Sequence, residues 1–154
     1  MSNSIKIKSF LFLFLSVVLL TGCNNKSKSG NSTADAKAQE LKKILFVVTS
    51  HDEKGNTGEK TGYYLGEVSH PWDVLHSAGY EIDFVSPQGG KAPVDAFDMT
   101  DAINKKFWDN DLYRNKIENT KKPSEVNPND YVAIHYAGGH GAMWDFADNS
   151  EIAA

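Results

Sequence analysis

The 154-residue chain contains a single cysteine, Cys23, so it cannot form an intramolecular disulfide. It also lacks an excess of basic residues, with 16 Lys and Arg against 20 Asp and Glu and a formal net charge of −4. A basic surface is the electrostatic footprint of nucleic-acid binding. We therefore expect a fold without a disulfide framework and a protein without a nucleic-acid partner.

Long apolar runs are also scarce, and the one at residues 9–20 is shorter than the roughly 20 residues that span a bilayer as a helix. It follows Lys6 and Lys8 and ends in Leu-Thr-Gly-Cys at Cys23. A charged start, a short apolar centre and small residues at the end are typical of a signal peptide, which we predict at 1–22. Its removal would take two lysines and move the net charge from −4 to −6. The alternative is an uncleaved helical anchor with an incidental cysteine.

The Leu-Thr-Gly-Cys ending resembles the lipobox of bacterial lipoproteins, where the peptidase cuts before the cysteine and lipid is attached to it. This resemblance implies an exported protein held to a membrane by lipid on Cys23. Asn24, not aspartate, follows the cysteine, so an outer-membrane, periplasmic-side or cell-surface destination is open. Residues 23–41 are small, polar and aperiodic, which predicts a flexible tether, with a structured extension as the alternative.

Residues 42–154 alternate between strand and helix patterns. Continuous apolar runs predict buried strands at 43–49, 80–86 and 131–137. A helix is predicted at 62–78, with Pro71 expected to kink or divide it. A second helical region, in one or two pieces, is predicted at 99–119, with a buried set of Phe107, Trp108, Leu112 and Ile117. This order predicts one α/β domain with a parallel sheet.

The chain continues only briefly beyond the third predicted strand, at 131–137. We therefore expect a parallel-sheet domain truncated after its third main strand. That strand would lack a neighbour or a covering helix, which would leave an apolar edge that favours association.

Glu67 follows the first strand and stands near the start of the first predicted helix. Among its aromatic and apolar neighbours it could be partly desolvated, which would raise its pKa and let it share a proton with a nucleophile. The alternative, favoured by spacing alone, is a solvated first-turn glutamate stabilised by the helix dipole.

Gly138-Gly139-His140-Gly141 comes directly after the third strand. Glycines let backbone amides approach a ligand oxygen closely, as in an oxyanion hole. The alternative is a tight turn without a ligand. His140 could act as a base or a ligand, although a loop histidine bonded to backbone is commoner.

His51, Asp52, Glu53 and His70 match no metal-binding spacing. We expect neither a metal nor a cofactor.

Two motifs together resemble the ThiJ/PfpI superfamily, which has the class I glutamine amidotransferase-like fold. The first is Thr-Gly-x-x-x-x-Glu-x-x-His-Pro at 61–71, and the second is Tyr-Ala-Gly-Gly-His-Gly-Ala-Met-Trp-Asp-Phe at 136–146. The similarity is greatest to the glyoxalase III and chaperone branch and covers residues 43–149. It implies a flavodoxin-like α/β sandwich. It also implies conversion of methylglyoxal to D-lactate without glutathione, and deglycation, peptidase and chaperone activities are attributed to the superfamily as well.

The resemblance assigns roles to three residues. Glu67 corresponds to the acid that hydrogen-bonds the catalytic thiol, Gly139 to the residue that supplies the oxyanion amide, and His140 to the histidine that shapes the pocket. The family's nucleophilic cysteine lies in an Ala-x-Cys-His-Gly segment after the next strand, and this sequence contains no such segment. Cys23 cannot replace it, because it is the lipidation site at the other end of the chain. We therefore expect no glyoxalase turnover from the chain as given.

Three hypotheses follow. The chain is an N-terminal portion of an exported glyoxalase III-like lipoprotein that acts on a small aldehyde, which the abrupt ending favours. Alternatively, it is a short lipid-anchored module that binds a partner or forms a homo-oligomer. A third hypothesis is a lipoprotein that binds small periplasmic ligands.

Overall fold

A computed structural model describes residues 41–153 of the chain. The predicted signal peptide, Cys23 and nearly all of the predicted tether lie outside the described residues. From residue 41 to residue 153, no helix has the length and apolar character needed to cross a membrane.

Strands and helices alternate along the described residues. In chain order they are β1 (Lys43–Val47), β2 (Tyr63–Tyr64), α1 (Leu65–Ser77), β3 (Glu81–Val85), β4 (Val94–Asp95), α2 (Ala102–Trp108), α3 (Asp111–Glu118), β5 (Tyr131–Tyr136) and α4 (Ala142–Asp145). Two short 3₁₀ turns, Pro123–Glu125 and Pro128–Asp130, lead into β5. All three predicted strands are present, each a residue or more shorter than predicted.

The central sheet is parallel and has the strand order β3-β1-β5. β1 lies in the middle, and the apolar run from Ile44 to Val48 is buried throughout. This is the pattern of a strand that is covered on both faces, as the continuous apolar run predicted. A second, two-stranded parallel sheet pairs β2 with β4.

The first helix is a single element in spite of Pro71, which lies inside it. Of the two predicted effects of Pro71, a kink or a division, the division does not occur. The ring of Trp72 packs edge-on against Phe107 of α2 and Tyr113 of α3, with centroids 5.2 and 5.3 Å away. These contacts join the three helices over one face of the sheet.

The second helical region consists of two helices, α2 and α3. Each begins at a residue whose side chain caps the helix, Asp101 for α2 and Asn110 for α3. The Asp101 side chain accepts from the amides of Ile103 and Asn104, and the Asn110 side chain accepts from the amide of Tyr113. Because α3 starts anew at Asn110, its buried face carries Tyr113 and Ile117, four residues apart. The predicted burial of Leu112 is therefore wrong, since this side chain is 58% exposed. Phe107 and Ile117 are buried as predicted, and Trp108 is half-buried.

β5 is an edge strand with an exposed apolar row on one of its faces. In the described part of the chain, β5 pairs only with β1, and Val132, Ile134 and Tyr136 are 57%, 44% and 46% exposed. An apolar groove of about 260 Å³ adjoins this row and is also lined by Val47 and Ile152. The predicted apolar edge at the third strand is confirmed.

Asp83 of β3 is a buried carboxylate that several groups neutralise. Lys116 Nζ donates to its Oδ1 at 2.8 Å, and the Tyr131 hydroxyl donates to its Oδ2 at 3.0 Å. Lys43 and Lys121 lie 3.8 and 3.6 Å from Oδ2. Burial alone would raise the pKa of Asp83, but the hydrogen bonds and positive charges outweigh it and hold the pKa below its ordinary value.

We expect Asp83→Asn to lower the free energy of unfolding at pH 7 by on the order of 1–3 kcal/mol, because Lys116 loses a buried charged partner. A carboxylate with a lowered folded-state pKa stabilises the fold at pH values above the ordinary aspartate pKa of about 3.9. That stability is lost as the pH falls through the lower folded-state value, so the variant and the parent should converge in acid. Urea unfolding at a series of pH values from neutral to acid measures the effect.

The control is Asp109→Asn, which removes an exposed i,i+4 pair with Lys105. It should lower the free energy of unfolding by under about 0.5 kcal/mol at any pH. An equal loss in both variants would contradict the role of burial.

Candidate functional site

The two motifs meet at the carboxyl ends of β1 and β5. The Tyr64 amide donates to the Gly138 carbonyl at 2.9 Å, and the Gly141 amide donates to the Gly62 carbonyl at 3.3 Å. The chain before α1 and the glycine turn after β5 are therefore held together by backbone hydrogen bonds. In open parallel sheets, ligands bind beyond this edge.

Glu67 is joined directly to the glycine turn. Its Oε2 accepts a hydrogen bond from the Gly138 amide at 2.6 Å, across 71 residues of sequence. Glu67 is an exposed residue, in agreement with a solvated first-turn glutamate and not with the desolvated alternative. Because its carboxylate still binds the turn, the structure brings both sequence-predicted segments into one site.

Pro71 and His135 explain how the first turn of α1 is held. Pro71 has no amide hydrogen, so the Glu67 carbonyl four residues earlier has no helical donor. His135 Nε2 of β5 lies 2.9 Å from that carbonyl oxygen and supplies the donor. The imidazole also packs on Phe46, with ring centroids 4.5 Å apart. The backbone of Glu67 is thus fixed from β5, and His135 is a site residue that sequence analysis missed.

Gly139 occupies a position that only glycine fits. Its φ is +131°, and a Cβ there would lie 2.3 Å from the Gly62 carbonyl oxygen. Among residues 41–153, the Gly139 amide makes no hydrogen bond to the protein, whereas the Gly138 amide is occupied by Glu67. The oxyanion role of Gly139 stays a prediction, and the geometry leaves its amide available for one.

His140 is bonded to a carboxylate and not to backbone. Its Nδ1 lies 3.2 Å from Asp95 Oδ2, which also accepts from Thr61 Oγ1 at 3.0 Å. Partial burial raises the pKa of Asp95, but hydrogen bonds from His140, the Ala96 amide and Thr61 outweigh it, so the pKa lies below its ordinary value. Asp95 belongs to no recognisable motif, and sequence analysis missed it.

These residues line a cleft of about 390 Å³ whose walls are Tyr64, Glu67, Asp95, Ala96, Gly139, His140 and Met143. Ala96 has φ +49°, an uncommon conformation for a residue with a Cβ and one that occurs at functional sites. An adjoining cleft of about 420 Å³ shares Tyr64 and Glu67 with the first. Both are sized for a small organic molecule.

Asp145 holds the second motif onto the end of β1. Its two carboxylate oxygens accept from Thr49 Oγ1 and from the Ser50 amide, each at 2.7 Å. The preceding Trp144 stacks on His51, with centroids 4.9 Å apart and an interplanar angle of 13°. The Trp-Asp pair of this motif therefore has a positioning role that the sequence did not reveal.

The histidines considered as metal ligands have other partners. His51 Nε2 contacts the Glu53 carbonyl, and His70 Nε2 lies 3.2 Å from Asp101 Oδ2. No group of three or more His, Cys, Asp or Glu side chains that could hold a metal ion occurs between residues 41 and 153.

Comparison with known proteins shows what the chain is similar to. No protein-family model matches the chain. Two curated proteins similar to it are Glyoxalase 3 of Candida albicans, 32% identical over 116 residues, and the glutathione-independent glyoxalase HSP31 of Saccharomyces cerevisiae, 33% identical over 121 residues. These matches cover 71% and 72% of this chain and 49% of each relative.

The chain is also similar to solved structures. The Rapid Encystment Protein 24 KDa of Francisella tularensis is 42% identical, with a TM-score of 0.67, and the match covers 72% of this chain and 50% of that one. The crystal structure of glyoxalase III from Candida albicans matches with a TM-score of 0.61 at 30% identity, covering 72% and 49%. The chain belongs to the ThiJ/PfpI superfamily. Its relatives are of the glutathione-independent glyoxalase III type, and the predicted flavodoxin-like α/β class is confirmed.

The chain spans about half the length of the ThiJ/PfpI relatives it matches. Between Asn24 and Ala154 the sequence contains no cysteine. The cleft is lined by Glu67, Gly139 and His140, and residues 41–153 contain no cysteine.

Proposed function

We propose that this domain supplies the acid and amide part of a glutathione-independent glyoxalase III-type site, in an exported, lipid-anchored protein. In this proposal Glu67 is the proton-sharing partner of a thiol, the Gly139 amide stabilises the developing oxyanion, and His140 shapes the pocket. The substrate is a small α-oxoaldehyde such as methylglyoxal, and the product is D-lactate.

One observation carries this proposal. The Glu67 carboxylate binds the Gly138 amide at 2.6 Å, directly beside the Gly139 amide, whose hydrogen has no protein acceptor in the described chain. A carboxylate and a free amide on one cleft wall are the two groups needed to move a proton and to stabilise a negative oxygen during attack on an aldehyde. The names of the curated relatives support the same chemistry.

The proposal assigns no nucleophile to residues 24–154, since a thiolate is the attacking group in this chemistry and Cys23 lies in the predicted lipidation motif. We therefore expect the purified chain alone to form no D-lactate from methylglyoxal. The assay should follow lactate with a stereospecific dehydrogenase, because methylglyoxal itself is also lost by reaction with lysine and arginine. Candida albicans Glyoxalase 3 is the positive control. D-Lactate formed at a rate proportional to the concentration of the purified chain would contradict this assignment.

Export and lipid anchoring rest on the lipobox-like ending at Cys23. We expect the chain expressed in a bacterium to partition with membranes and its first peptide, after cleavage, to carry acyl mass on Cys23. Several acyl chains hold a protein stably, whereas one is marginal. Cys23→Ser should abolish the added mass and release the protein from the membrane fraction, whereas Ser27→Ala should change neither. An unmodified Cys23 in a membrane-bound product would favour the uncleaved-anchor alternative.

A second candidate function is a binding or oligomerising module without catalysis. The exposed apolar row Val132, Ile134 and Tyr136 on the edge strand β5 favours it. Sedimentation velocity tests it. A homo-oligomer of the chain would support this function, and a monomer at every concentration would exclude self-association.

A further inference from the structure

The wall of the cleft carries a carboxylate–imidazole pair, Asp95 and His140, and Asp95 has no role in the proposed function. Asp95 lies at the end of β4, and its two oxygens have different partners. Oδ1 accepts from the Ala96 amide at 2.7 Å, and Oδ2 faces both Thr61 Oγ1 and His140 Nδ1. Two other parts of the chain, at Thr61 and His140, therefore converge on this carboxylate beside the glycine turn.

The chemistry of Asp95 fixes the direction of its bond to His140. An aspartate is ionised at neutral pH and can then only accept hydrogen bonds. His140 Nδ1, 3.2 Å from Oδ2, must therefore be the donor and carry the proton. In a neutral imidazole the other nitrogen is then an acceptor. In an unconstrained imidazole the proton resides mainly on Nε2, so the contact with Asp95 reverses the intrinsic preference.

We propose that Asp95 is a positioning residue that holds neutral His140 with its proton on Nδ1, so that Nε2 presents a hydrogen-bond acceptor to ligands in the cleft. His140 Nε2 makes no hydrogen bond to the protein within residues 41–153, and the residue lines the cleft beside Glu67 and Gly139. The ligand group that fits an acceptor at this point is a hydroxyl. The hydrate of an α-oxoaldehyde, and the hydroxyl that forms when a nucleophile adds to the aldehyde, both supply one.

The use of Nε2 as a ligand acceptor rests on the proposed function, but the tautomer of His140 does not. The two can therefore fail separately. A glyoxalase-inactive domain with the proton on Nδ1 would leave the positioning role intact, whereas the opposite tautomer would overturn it whatever the activity.

Asp95→Asn is the sharpest variant, because the two oxygens of Asp95 are distinguishable. The Asn oxygen is expected to stay on the Ala96 amide, since turning the side chain over would set the amide nitrogen against that N–H group. The Asn nitrogen then replaces Oδ2 and donates to His140 Nδ1. This forces the His140 proton onto Nε2, and the nearly isosteric change turns an acceptor facing the cleft into a donor.

The measurement is a long-range ¹H–¹⁵N correlation spectrum of the full-length chain in detergent micelles, labelled on histidine, about two pH units above the ordinary histidine pKa of roughly 6.5. His140→Gln assigns the signals among the five histidines. We expect mostly the Nδ1–H pattern in the parent and mostly the Nε2–H pattern in Asp95→Asn. Thr61→Val removes the other donor to Oδ2 and should leave the parent pattern unchanged.

The parent spectrum decides the proposal even if a variant fails to fold. A parent His140 with its proton mainly on Nε2 would overturn it. A folded Asp95→Asn protein that keeps the Nδ1–H pattern would also overturn it, because some group other than Asp95 would then set the tautomer.

Discussion

Glu67→Gln will lower D-lactate formation by about 10²–10⁴-fold in a chimera that contains this domain, because a glutamine cannot exchange a proton with a thiol. The chimera replaces the matched portion of Candida albicans Glyoxalase 3 with the corresponding residues of this chain. The Candida remainder supplies the thiol that the family resemblance implies. The glutamine oxygen can still accept from the Gly138 amide, so the glycine turn should keep its geometry and the protein its stability.

The control for this prediction is Glu59→Gln, which removes an exposed loop carboxylate paired with Lys54 at 3.5 Å. It should leave the turnover number unchanged. If Glu67→Gln stayed within about threefold of the parent chimera while unfolding at the same urea concentration, Glu67 would not be the proton-transfer group.

Gly139→Ala will lower the free energy of unfolding of the chain by on the order of 3 kcal/mol. Two costs add at this position. The φ of +131° is unfavourable for alanine, and the new Cβ would lie 2.3 Å from the Gly62 carbonyl oxygen, which is backbone and cannot rotate away. The measurement is urea unfolding followed by tryptophan fluorescence.

Gly58→Ala separates the two costs. Gly58 has φ +76°, but nothing lies within 4 Å of a Cβ built there. It should lose only about 1–2 kcal/mol, the conformational part. Equal losses in the two variants would show that the close approach of the glycine turn to Gly62 does not exist in solution.

The architecture followed from the sequence because its strands are strongly patterned. Continuous apolar runs are typical of strands buried on both faces, and β1 is buried in that way. Helix phase was harder to predict. Nothing in the local apolar spacing showed that α3 restarts at the Asn110 cap, and this restart exposes Leu112 and buries Tyr113.

The sequence predicted the site residues that belong to a motif. It did not predict the residues that reach the site through tertiary contacts. Glu67 and the glycine turn each stood out in the sequence, and the structure joins them. Asp95 and His135 contact their partners across 45 and 68 residues, and no local pattern marks either residue. Pro71 was the one available signal for His135, since a proline inside a helix requires another donor for the carbonyl it leaves free.

We propose that residues 43–149 carry the acid and amide part of a glyoxalase III-type site. D-Lactate production by the chimera with Candida albicans Glyoxalase 3 tests it most directly, with the chain alone and the Candida remainder alone assayed beside it. We expect stereospecific turnover by the folded chimera and none by either part. A folded chimera that binds methylglyoxal and forms no D-lactate would contradict the claim.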